Sequence, residues 1–256
     1  MTAVIAIIQA RMGSTRLPGK VLLDVCGKTV LERVVERVRR AKTISRIVIA
    51  IPDGGGQEGI IQECGRIGVE VMSGSELDVL DRYYSIARRV GASHVARITS
   101  DCPLVDPALI DRVVQHYFKT GCDYISTGRI VTTFPDGLDT EVFNFSSLER
   151  ACTEGVLPSE REHVTPYIWN HPELFRIEEV RNSMDFGALR WTVDESRDLD
   201  VVRAVFAHFR EKEFGFEDIL QYLQVHPEIV AMNSDIPNHA GYFRSLEEDK
   251  IAERGA

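Results

Sequence analysis

The chain contains 256 residues and carries a formal net charge of -9, because 39 acidic residues outnumber 30 basic ones. This length suits one large domain, and the acidic excess argues against a general nucleic-acid binder, which requires a basic face. Arg, Asp or Glu interrupts every apolar stretch before it reaches the length of a membrane span, so we expect no association with membranes.

The first half of the chain alternates predicted strands with predicted helices. An apolar run from Ala3 to Ile8 predicts a buried first strand, and apolar residues recur at helical spacing between Val30 and Val38. Asp106 and Pro107 are typical of a helix N-cap and first helical residue. Further strands are predicted at 47–51, 69–72 and 95–99, and further helices at 57–66 and 78–90. This alternation predicts an α/β protein with a mostly parallel sheet flanked by helices.

The alternation stops near residue 123, where short strands and turns follow. Ser146 with Glu149, and Ser159 with Glu162, are predicted capping boxes that begin two helices. Strands are predicted at 175–180 and 189–193, before a helix that carries Leu199 and Val202. We expect one domain over residues 1–247, with an irregular strand and helix insertion over about 123–183 and a disordered tail at 248–256.

The cysteines and the N-terminus indicate a cellular location. Five cysteines are present, an odd number without a Cys-x-x-Cys pair, which indicates reduced thiols and neither disulfides nor structural zinc. The N-terminus lacks the basic and apolar pattern of a secretion signal. We therefore expect a cytoplasmic protein.

A basic loop follows the first predicted strand. Arg11, Arg16 and Lys20 lie within ten positions, together with Gly13 and Gly19, and the first acidic residue of the chain is Asp24. An open α/β sheet binds ligands at this position, just beyond the end of a strand. Glycines allow backbone amides to approach an anion, and Arg and Lys supply positive charge. The loop therefore predicts a site for nucleotide phosphates, the alternative being a solvated surface loop.

Two familiar phosphate-binding patterns do not fit the chain. Gly27-Lys28-Thr29 matches the end of a Walker motif, but the position of the required first glycine is Leu22. Gly54-x-Gly56-x-x-Gly59 imitates a dinucleotide fingerprint, but it follows the second predicted strand and not the first. We interpret this glycine cluster as a flexible loop.

Two aspartates follow predicted strands of apolar and β-branched residues. Asp101 comes after the strand at 95–99, and Asp194 comes after the strand at 189–193. Carboxylates in these positions are expected at the carboxyl edge of the sheet, facing the basic loop. Such a pair suits Mg2+ shared with a triphosphate, because magnesium takes one or two protein carboxylates with phosphate oxygens and waters. The alternative is that both aspartates are helix caps or turn formers.

The run from Gln9 to Lys20 resembles the signature of the sugar cytidylyltransferases, which make CMP-activated acidic sugars such as CMP-nonulosonates and CMP-Kdo. The resemblance extends from about Ile5 to about Tyr242 and is strongest to the spore-coat polysaccharide branch. It implies a Rossmann-like nucleotidyltransferase fold and an Mg2+-dependent enzyme. It also implies transfer of CMP from CTP to an acidic sugar with release of pyrophosphate, for surface polysaccharide or glycan biosynthesis.

The resemblance also implies roles for individual residues. Thr99-Ser100-Asp101-Cys102-Pro103 resembles the first metal motif of the family, with Asp101 as ligand, and Asp194 is the ligand in the second, with Asp198 as support. Arg11 and Lys20 hold the nucleotide phosphates, so that the implied catalytic residues are Arg11, Lys20, Asp101 and Asp194. The implied nucleotide-binding residues are Ala10, Arg11, Gly13, Ser14, Arg16, Lys20 and Asp101.

Two further segments, Pro135-Asp136-Gly137-Leu138-Asp139 and Ser159-Glu160-Arg161-Glu162-His163, resemble signatures of the spore-coat branch. By their location they are expected to face the acceptor sugar, through Asp136, Asp139, Arg161 and His163. Related enzymes dimerise through the corresponding insertion, so we expect a homodimer. Three aromatic residues are expected to be exposed at that interface, namely Phe134, Tyr167 and Trp169.

Two other functions remain open from the residues alone. A nucleotide-sugar glycosyltransferase would need an Asp-x-Asp metal motif, and Asp198-x-Asp200 is the one example in the sequence, inside a predicted helix. A catalytically silent nucleotide-binding protein would keep the loop without turnover.

Overall fold

A seven-stranded sheet forms the centre of this computed structural model, which describes residues 3–128, 132–210 and 212–255. The strands in chain order are β1 (Val4–Gln9), β2 (Asp24–Val25), β3 (Lys28–Thr29), β4 (Ile44–Pro52), β5 (Glu70–Gly74), β6 (His94–Thr99), β7 (Tyr124–Ser126), β8 (Glu141–Asn144) and β9 (Ile177–Glu179). A separate hairpin consists of β2 and β3. The order across the large sheet is β5-β4-β1-β6-β8-β7-β9.

Eleven helices surround the sheet in the part of the chain that the structure describes. They are α1 (Val30–Arg39), α2 (Glu58–Ile67), α3 (Val79–Arg89), α4 (Pro107–Thr120), α5 (Phe145–Glu154), α6 (Pro158–His163), α7 (Pro166–Asn170), α8 (Ser196–Phe209), α9 (Phe216–Gln224), α10 (Pro227–Val230) and α11 (Ala240–Gly255). None of them, over the described ranges, is both long and apolar enough to cross a bilayer. The predicted α/β fold with a mostly parallel sheet is confirmed.

The sheet has a switch point between β1 and β6. From β1 the chain proceeds outward through β4 and β5, and it then returns to the other side of β1 to form β6, parallel to it. The loops that leave β1 and β6 consequently diverge from adjacent strand ends, at Gln9 and Thr99. In an open α/β sheet this crevice is where ligands bind.

Side chains alternate between two cores along β1. Val4, Ala6 and Ile8 face the core that contains α1, α4 and α8, whereas Ile5 and Ile7 face the core that contains α3 and α5. Both faces of a parallel strand are covered by helices, which explains why the run is continuously apolar and does not alternate with polar residues. The predicted N-cap of α4 is present, because Asp106 Oδ1 accepts the backbone N–H of Leu109 at 2.8 Å.

The predicted insertion at 123–183 contributes strands to the main sheet. Its strands β7, β8 and β9 extend the sheet beyond β6, and β8 runs antiparallel to both neighbours. Residues 129–131 of this segment lie outside the described residues. The aromatic residues expected on its surface are largely internal: Phe134 and Tyr167 are buried, and Trp169 packs edge-on against Tyr124 and Tyr242. Their exposure was therefore predicted wrongly: Tyr167 and Trp169 pack inward from α7, and Phe134 packs against Phe216 on α9.

Three local predictions in the second half were wrong. The segment 189–193 is not a strand: it forms an isolated bridge with Asp136, and Val193 N donates to Asp101 O, so it pairs with loops above the sheet. Neither predicted capping box, Ser146 with Glu149 or Ser159 with Glu162, caps its helix; other residues do so. Asn144 caps α5 by accepting from Ser147 N, and Glu160 accepts from the backbone N–H groups of Val156 and Leu157 ahead of α6.

The tail also differs from the prediction. Residues 248–255 continue α11, which packs along α6. Asp249 is buried there and accepts the backbone N–H of Ser159 at 2.8 Å. The N–H of Ser159 lies in the first turn of α6, where it has no partner within the helix. Its hydrogen bond to Asp249 therefore stabilises the docking of the C-terminal helix, which the polar composition of the tail did not predict.

Candidate active site

A cleft of about 420 Å3 opens above the switch point between β1 and β6. The loops after these two strands form one wall, and residues from the segments around 136–139, 162–163, 192–194 and 239–244 complete it. Of the residues predicted from the sequence, the cleft brings together Ala10, Arg11, Ser14, Arg16, Lys20, Asp101, Asp136, Asp139, His163 and Asp194. Gly13 and Arg161 do not line it.

Lys20 is the centre of the cleft's polar network. Its Nζ lies 2.7 Å from Asp101 Oδ2 and 2.8 Å from Asp194 Oδ1, and its side chain is only 12% exposed. The backbone places it there through Gly19, whose φ of 66° lies in the left-handed region and begins the short 3-10 turn Lys20–Leu22. Two carboxylates that are distant in sequence are thereby drawn to a single cation.

This ion pair governs the ionisation of Asp101. Burial by itself would raise the pKa of Asp101, but the charge and hydrogen bond of Lys20 outweigh it and lower the pKa to about 2. Burial would likewise lower the pKa of Lys20, and the two carboxylates outweigh that effect and raise it. Asp101 therefore remains a carboxylate and Lys20 remains an ammonium at neutral pH.

Arg190 is a second cationic centre, which the sequence reading missed. Its side chain is 2% exposed and contacts three aspartate carboxyl groups: Nη1 donates to Asp136 Oδ2, Nη2 to Asp194 Oδ2 and Nε to Asp198 Oδ1, each at 2.9 Å. The planar guanidinium suits such a fork, since its donors leave in fixed directions. Arg190 thus fixes the orientation of Asp194 in the cleft. The feature of the sequence that could have pointed to Arg190 is its position as the one charged residue within the mainly apolar segment 189–193.

Asp198 supports the same segment from below. Its Oδ2 accepts the backbone N–H groups of Asp194 and Glu195, both at 2.9 Å, and its Oδ1 also accepts from Asn233 Nδ2. It is fully buried at the first turn of α8. The Asp198-x-Asp200 pair therefore does not act as an Asp-x-Asp metal motif, because Asp198 is engaged by Arg190 and backbone while Asp200 is exposed on the helix.

The remaining residues of the basic loop differ in their exposure. Arg16 Nη2 lies 2.9 Å from Asp194 Oδ2, and Arg11 is exposed along the cleft. Ala10 is buried at the end of β1, where its N–H donates to Ala50 O. Gly13, predicted to bring amides to an anion, is exposed away from the cleft lining and has an ordinary φ, so the structure gives it no such role.

Asp136 and Asp139 line the opposite side of the cleft. Burial, followed by the nearby charge of Asp139, raises the pKa of Asp136 to about 8, even though Arg190 pulls it down. Burial likewise raises the pKa of Asp139. Gly137 between them cannot be replaced without strain: its φ is 110°, and a Cβ there would lie 2.6 Å from Thr192 N. The tight turn is what brings both carboxyl groups to the cleft.

The segment 159–163, which was the second one expected to face the acceptor sugar, lies only partly in the cleft. His163 lines the cleft, with Nε2 at 3.1 Å from Ser245 Oγ, and burial lowers its pKa to about 4, so the ring is neutral near pH 7. Arg161 turns away, since its guanidinium bonds Asp78, the N-cap of α3, and Nη1 donates to Cys152 O. The prediction that Arg161 faces the acceptor is therefore not met, because its charge stabilises the packing of α6 on α3.

Comparison with known proteins identifies the group to which the chain belongs. A family model described as cytidylyltransferase matches residues 5–236. The chain belongs to the cytidylyltransferase family. This cytidylyltransferase-family chain is 34% identical to the spore coat polysaccharide biosynthesis protein SpsF of Bacillus subtilis, over 89% of the chain and 97% of that protein. The resemblance noted in the sequence is thereby confirmed.

Solved structures agree with the family assignment. A cytidylyltransferase from Leptospira borgpetersenii serovar Hardjo-bovis is 31% identical to our cytidylyltransferase-family chain, with a TM-score of 0.86 over 90% of the chain and 97% of the solved one. A CMP:2-keto-3-deoxy-manno-octonic acid synthetase complexed with CTP shares the fold, with a TM-score of 0.61 and 19% identity over 81% of the chain and 99% of the solved one.

The carboxylates of this cytidylyltransferase-family chain fit a magnesium ion that arrives with a nucleotide. Asp101 and Asp194 already converge on one cation, the ammonium of Lys20, at 2.7 and 2.8 Å. Within the described ranges no cluster of three or more His, Cys, Asp or Glu side chains could hold a metal by itself. Magnesium often takes only one or two protein carboxylates and completes its shell with phosphate oxygens and water. The donor set therefore suits a shared ion better than a permanent protein-held one.

Proposed function

We propose that this chain transfers CMP from CTP to an acidic sugar and releases pyrophosphate, with Asp101 and Asp194 as the residues that would hold Mg2+. The observation that carries the proposal is the contact of Lys20 with both aspartates, at the switch point of the sheet and below the basic loop. A triphosphate brings negative charge, and the basic loop offers three cations beside two carboxylates that can share a divalent ion.

The names of the relatives support a cytidine nucleotide and a sugar acceptor. One solved structure of the same fold is of a synthetase for CMP:2-keto-3-deoxy-manno-octonic acid, complexed with CTP. The SpsF relative is named for spore coat polysaccharide biosynthesis, which suits a product destined for a surface glycan. We infer that the enzyme works in the cytoplasm as a homodimer.

The reaction needs no covalent enzyme intermediate. A hydroxyl oxygen of the sugar loses its proton to water in the cleft and forms a bond to the α-phosphorus of CTP. The bond from that phosphorus to the β-phosphate oxygen breaks, and pyrophosphate leaves with its electron pair. Arg11, Arg16 and Lys20 hold the phosphates in line with the hydroxyl and stabilise the charge that grows on the departing pyrophosphate. Bound Mg2+ would add charge neutralisation at the phosphoryl oxygens.

The acceptor would lie against the side of the cleft that carries Asp136, Asp139 and His163. Asp139 has one oxygen engaged by Gly137 N–H, at 3.2 Å, which leaves acceptor capacity for a sugar hydroxyl. His163 is neutral near pH 7, so it orients a hydroxyl by hydrogen bonding and does not supply a fixed charge. These residues position the sugar while the basic loop positions the nucleotide.

Pyrophosphate release tests the proposal directly. The enzyme is incubated with Mg2+, each of CTP, UTP, ATP and GTP, and a panel of eight- and nine-carbon 2-keto sugar acids and neutral sugars. We expect release with CTP and an acidic sugar, and little with the other nucleotides. The Asp101→Asn variant serves as the control for contaminating activities. Equal pyrophosphate release with all four nucleotides would refute the preference for cytidine. No release with any combination of nucleotide and sugar would refute the proposed transferase activity.

A further inference from the structure

Arg97 lines the same cleft, but the sequence motifs did not single it out. It lies on β6 two residues before Thr99, and successive odd positions on a strand point to one face, so Arg97, Thr99 and the following Asp101 all reach the cleft. Its side chain is 11% exposed. A charged side chain that is this buried requires partners, and their arrangement shows what it can bind.

One end of the Arg97 guanidinium is held rigidly. Nη1 lies 2.5 Å from Glu141 Oε1, and Glu141 is the direct neighbour of Arg97 in the register between β6 and β8. The second oxygen of Glu141, Oε2, accepts the hydroxyl of the buried Thr165 at 2.6 Å. Thr165 and the pairing of β8 with β6 therefore hold Glu141 in place, and Glu141 fixes one arm of the Arg97 guanidinium.

The other end of the guanidinium has donors without acceptors. Among the described residues, Nε is buried without a hydrogen-bond partner, and Nη2 makes no hydrogen bond although it is not enclosed. An arginine with one arm clamped by a carboxylate and the adjacent arm open to a cleft is preorganised for an anion. The location favours the acceptor and not the nucleotide, because β8, whose Glu141 pairs with Arg97, lies on the far side of β6 from the strand that leads into the basic loop.

We propose that Nη2 of Arg97 receives the carboxylate of the acceptor sugar and so determines that the acceptor is an acid. This inference rests on the proposed function. Arg97 would act as a specificity-determining residue: its planar donors match a carboxylate, whereas a neutral amide or alcohol in the same place offers Nη2 only a weaker, uncharged acceptor.

The test compares a sugar acid with its amide. Acceptor kinetics are measured at saturating CTP for wild type, Arg97→Lys and Arg97→Gln, using 3-deoxy-manno-octulosonate or whichever 2-keto sugar acid the panel shows to be active, and its carboxamide. We expect Arg97→Gln to lower kcat/KM for the acid by roughly tenfold to a hundredfold, with little change for the carboxamide and less than about a twofold change in the KM for CTP. Loss of the difference between acid and amide is a result that a merely structural role would not produce.

Two further variants guard against misfolding. Arg97→Gln leaves Glu141 buried without its cation, so the double variant Arg97→Gln/Glu141→Gln replaces the ion pair by two neutral amides and should show the same loss of discrimination. Arg46→Gln breaks the exposed ion pair of Arg46 with Glu70 on β4 and β5 and should leave the acceptor kinetics unchanged. A KM for CTP that rises as much as that for the acid would instead place Arg97 on the nucleotide and overturn the inference.

Failure of this inference can be distinguished from failure of the proposed function. If wild type releases pyrophosphate with neutral sugars as readily as with acids, the enzyme is still a cytidylyltransferase and the role of Arg97 is wrong. If no sugar supports release, calorimetric titration of the CTP-loaded enzyme with 3-deoxy-manno-octulosonate and its carboxamide decides. Binding of the acid at least about tenfold tighter, lost in Arg97→Gln, supports the inference, and equal binding overturns it.

Discussion

Nη2 of Arg190 lies 2.9 Å from Oδ2 of Asp194, and the same guanidinium holds Asp198 and Asp136. Asp194 is thus oriented by a buried arginine from a segment that pairs with loops and not with a strand. Groups that orient a metal ligand commonly affect metal affinity by tenfold to a hundredfold. Arg190 is therefore expected to act on the reaction through Asp194, as a positioning residue.

The first prediction concerns Arg190→Lys. A lysine keeps the charge but cannot contact three carboxylates at once, so Asp194 loses its fixed orientation. We expect the Mg2+ concentration for half-maximal rate to rise about tenfold or more, with a smaller change in the KM for CTP. Arg197→Lys, which alters the exposed Arg197–Asp235 ion pair nearby, is the control. An unchanged Mg2+ dependence in Arg190→Lys would show that Arg190 only stabilises the fold.

The second prediction concerns the carboxylates themselves. Asp101→Asn and Asp194→Asn each keep the side-chain shape but remove a negative charge from the proposed magnesium shell. We expect pyrophosphate release to be abolished in both, with circular dichroism spectra like that of wild type. Asp111→Asn is the matched control, because Asp111 lies outside the cleft, where it accepts the backbone N–H groups of Lys42 and Thr43 and the hydroxyl of Thr43. Near-normal turnover in either cleft variant would make that aspartate a structural residue.

The third prediction concerns the cations of the basic loop. Lys20→Ala removes the ammonium that, in the proposed reaction, faces the departing phosphates, and electrostatic stabilisers of this kind are worth on the order of a hundredfold in rate. We expect a large fall in kcat and a moderate rise in the KM for CTP. Arg11→Lys should also be impaired, because a point charge cannot make the paired contacts of a guanidinium.

Steady-state kinetics, with circular dichroism as a check on folding, decide this prediction. Lys28→Ala removes a lysine that pairs with Glu36 away from the cleft, and should leave kcat within about twofold of wild type. If Lys20→Ala and Arg11→Lys behave like this control, the loop is a solvated surface and holds no phosphate.

The fourth prediction concerns pH. The Lys20 contact lowers the pKa of Asp101 to about 2 from its ordinary 3.8, so folding is favoured whenever Asp101 is ionised. This contribution is fully present above about pH 4 and is lost as the pH falls through about 2. It amounts to about 2 kcal/mol. The difference in unfolding free energy between wild type and Asp101→Asn should therefore shrink between pH 6 and pH 2, as measured by urea unfolding. A difference that does not vary with pH would contradict the ion pair.

The fifth prediction is a homodimer that uses the segment 123–183. The aromatic residues expected there are internal, but Val156 of this segment is 80% exposed and could contribute apolar area to an interface. We expect light scattering to give a dimer at micromolar concentration, and Val156→Asp to shift it toward monomer. Ile61→Asp, on α2, alters another exposed apolar residue and should leave the dimer intact. A monomeric wild type at these concentrations would refute the prediction.

The sequence by itself determined the α/β class, the basic loop and the two aspartates. These features are local: continuous apolar runs mark strands covered on both faces, and the cap at Asp106 is formed by residues three apart. Local signals failed where the chain pairs with distant loops, as in the segment 189–193. They also failed at Arg161, since an arginine in a motif does not reveal which carboxylate it will meet.

Only the tertiary structure decided which charged side chains of the cleft form ion pairs with one another. Lys20 meets Asp101 across 81 residues and Asp194 across 174, and Arg190 meets Asp136 across 54. Arg97 contacts Glu141 because β8 pairs with β6 in the sheet. The periodicity of the sequence does not predict this pairing. Residue types and strand ends specify which groups reach the edge of the sheet. Strand order and the packing of loops above it decide which charges touch, because those contacts depend on geometry between segments far apart in the chain.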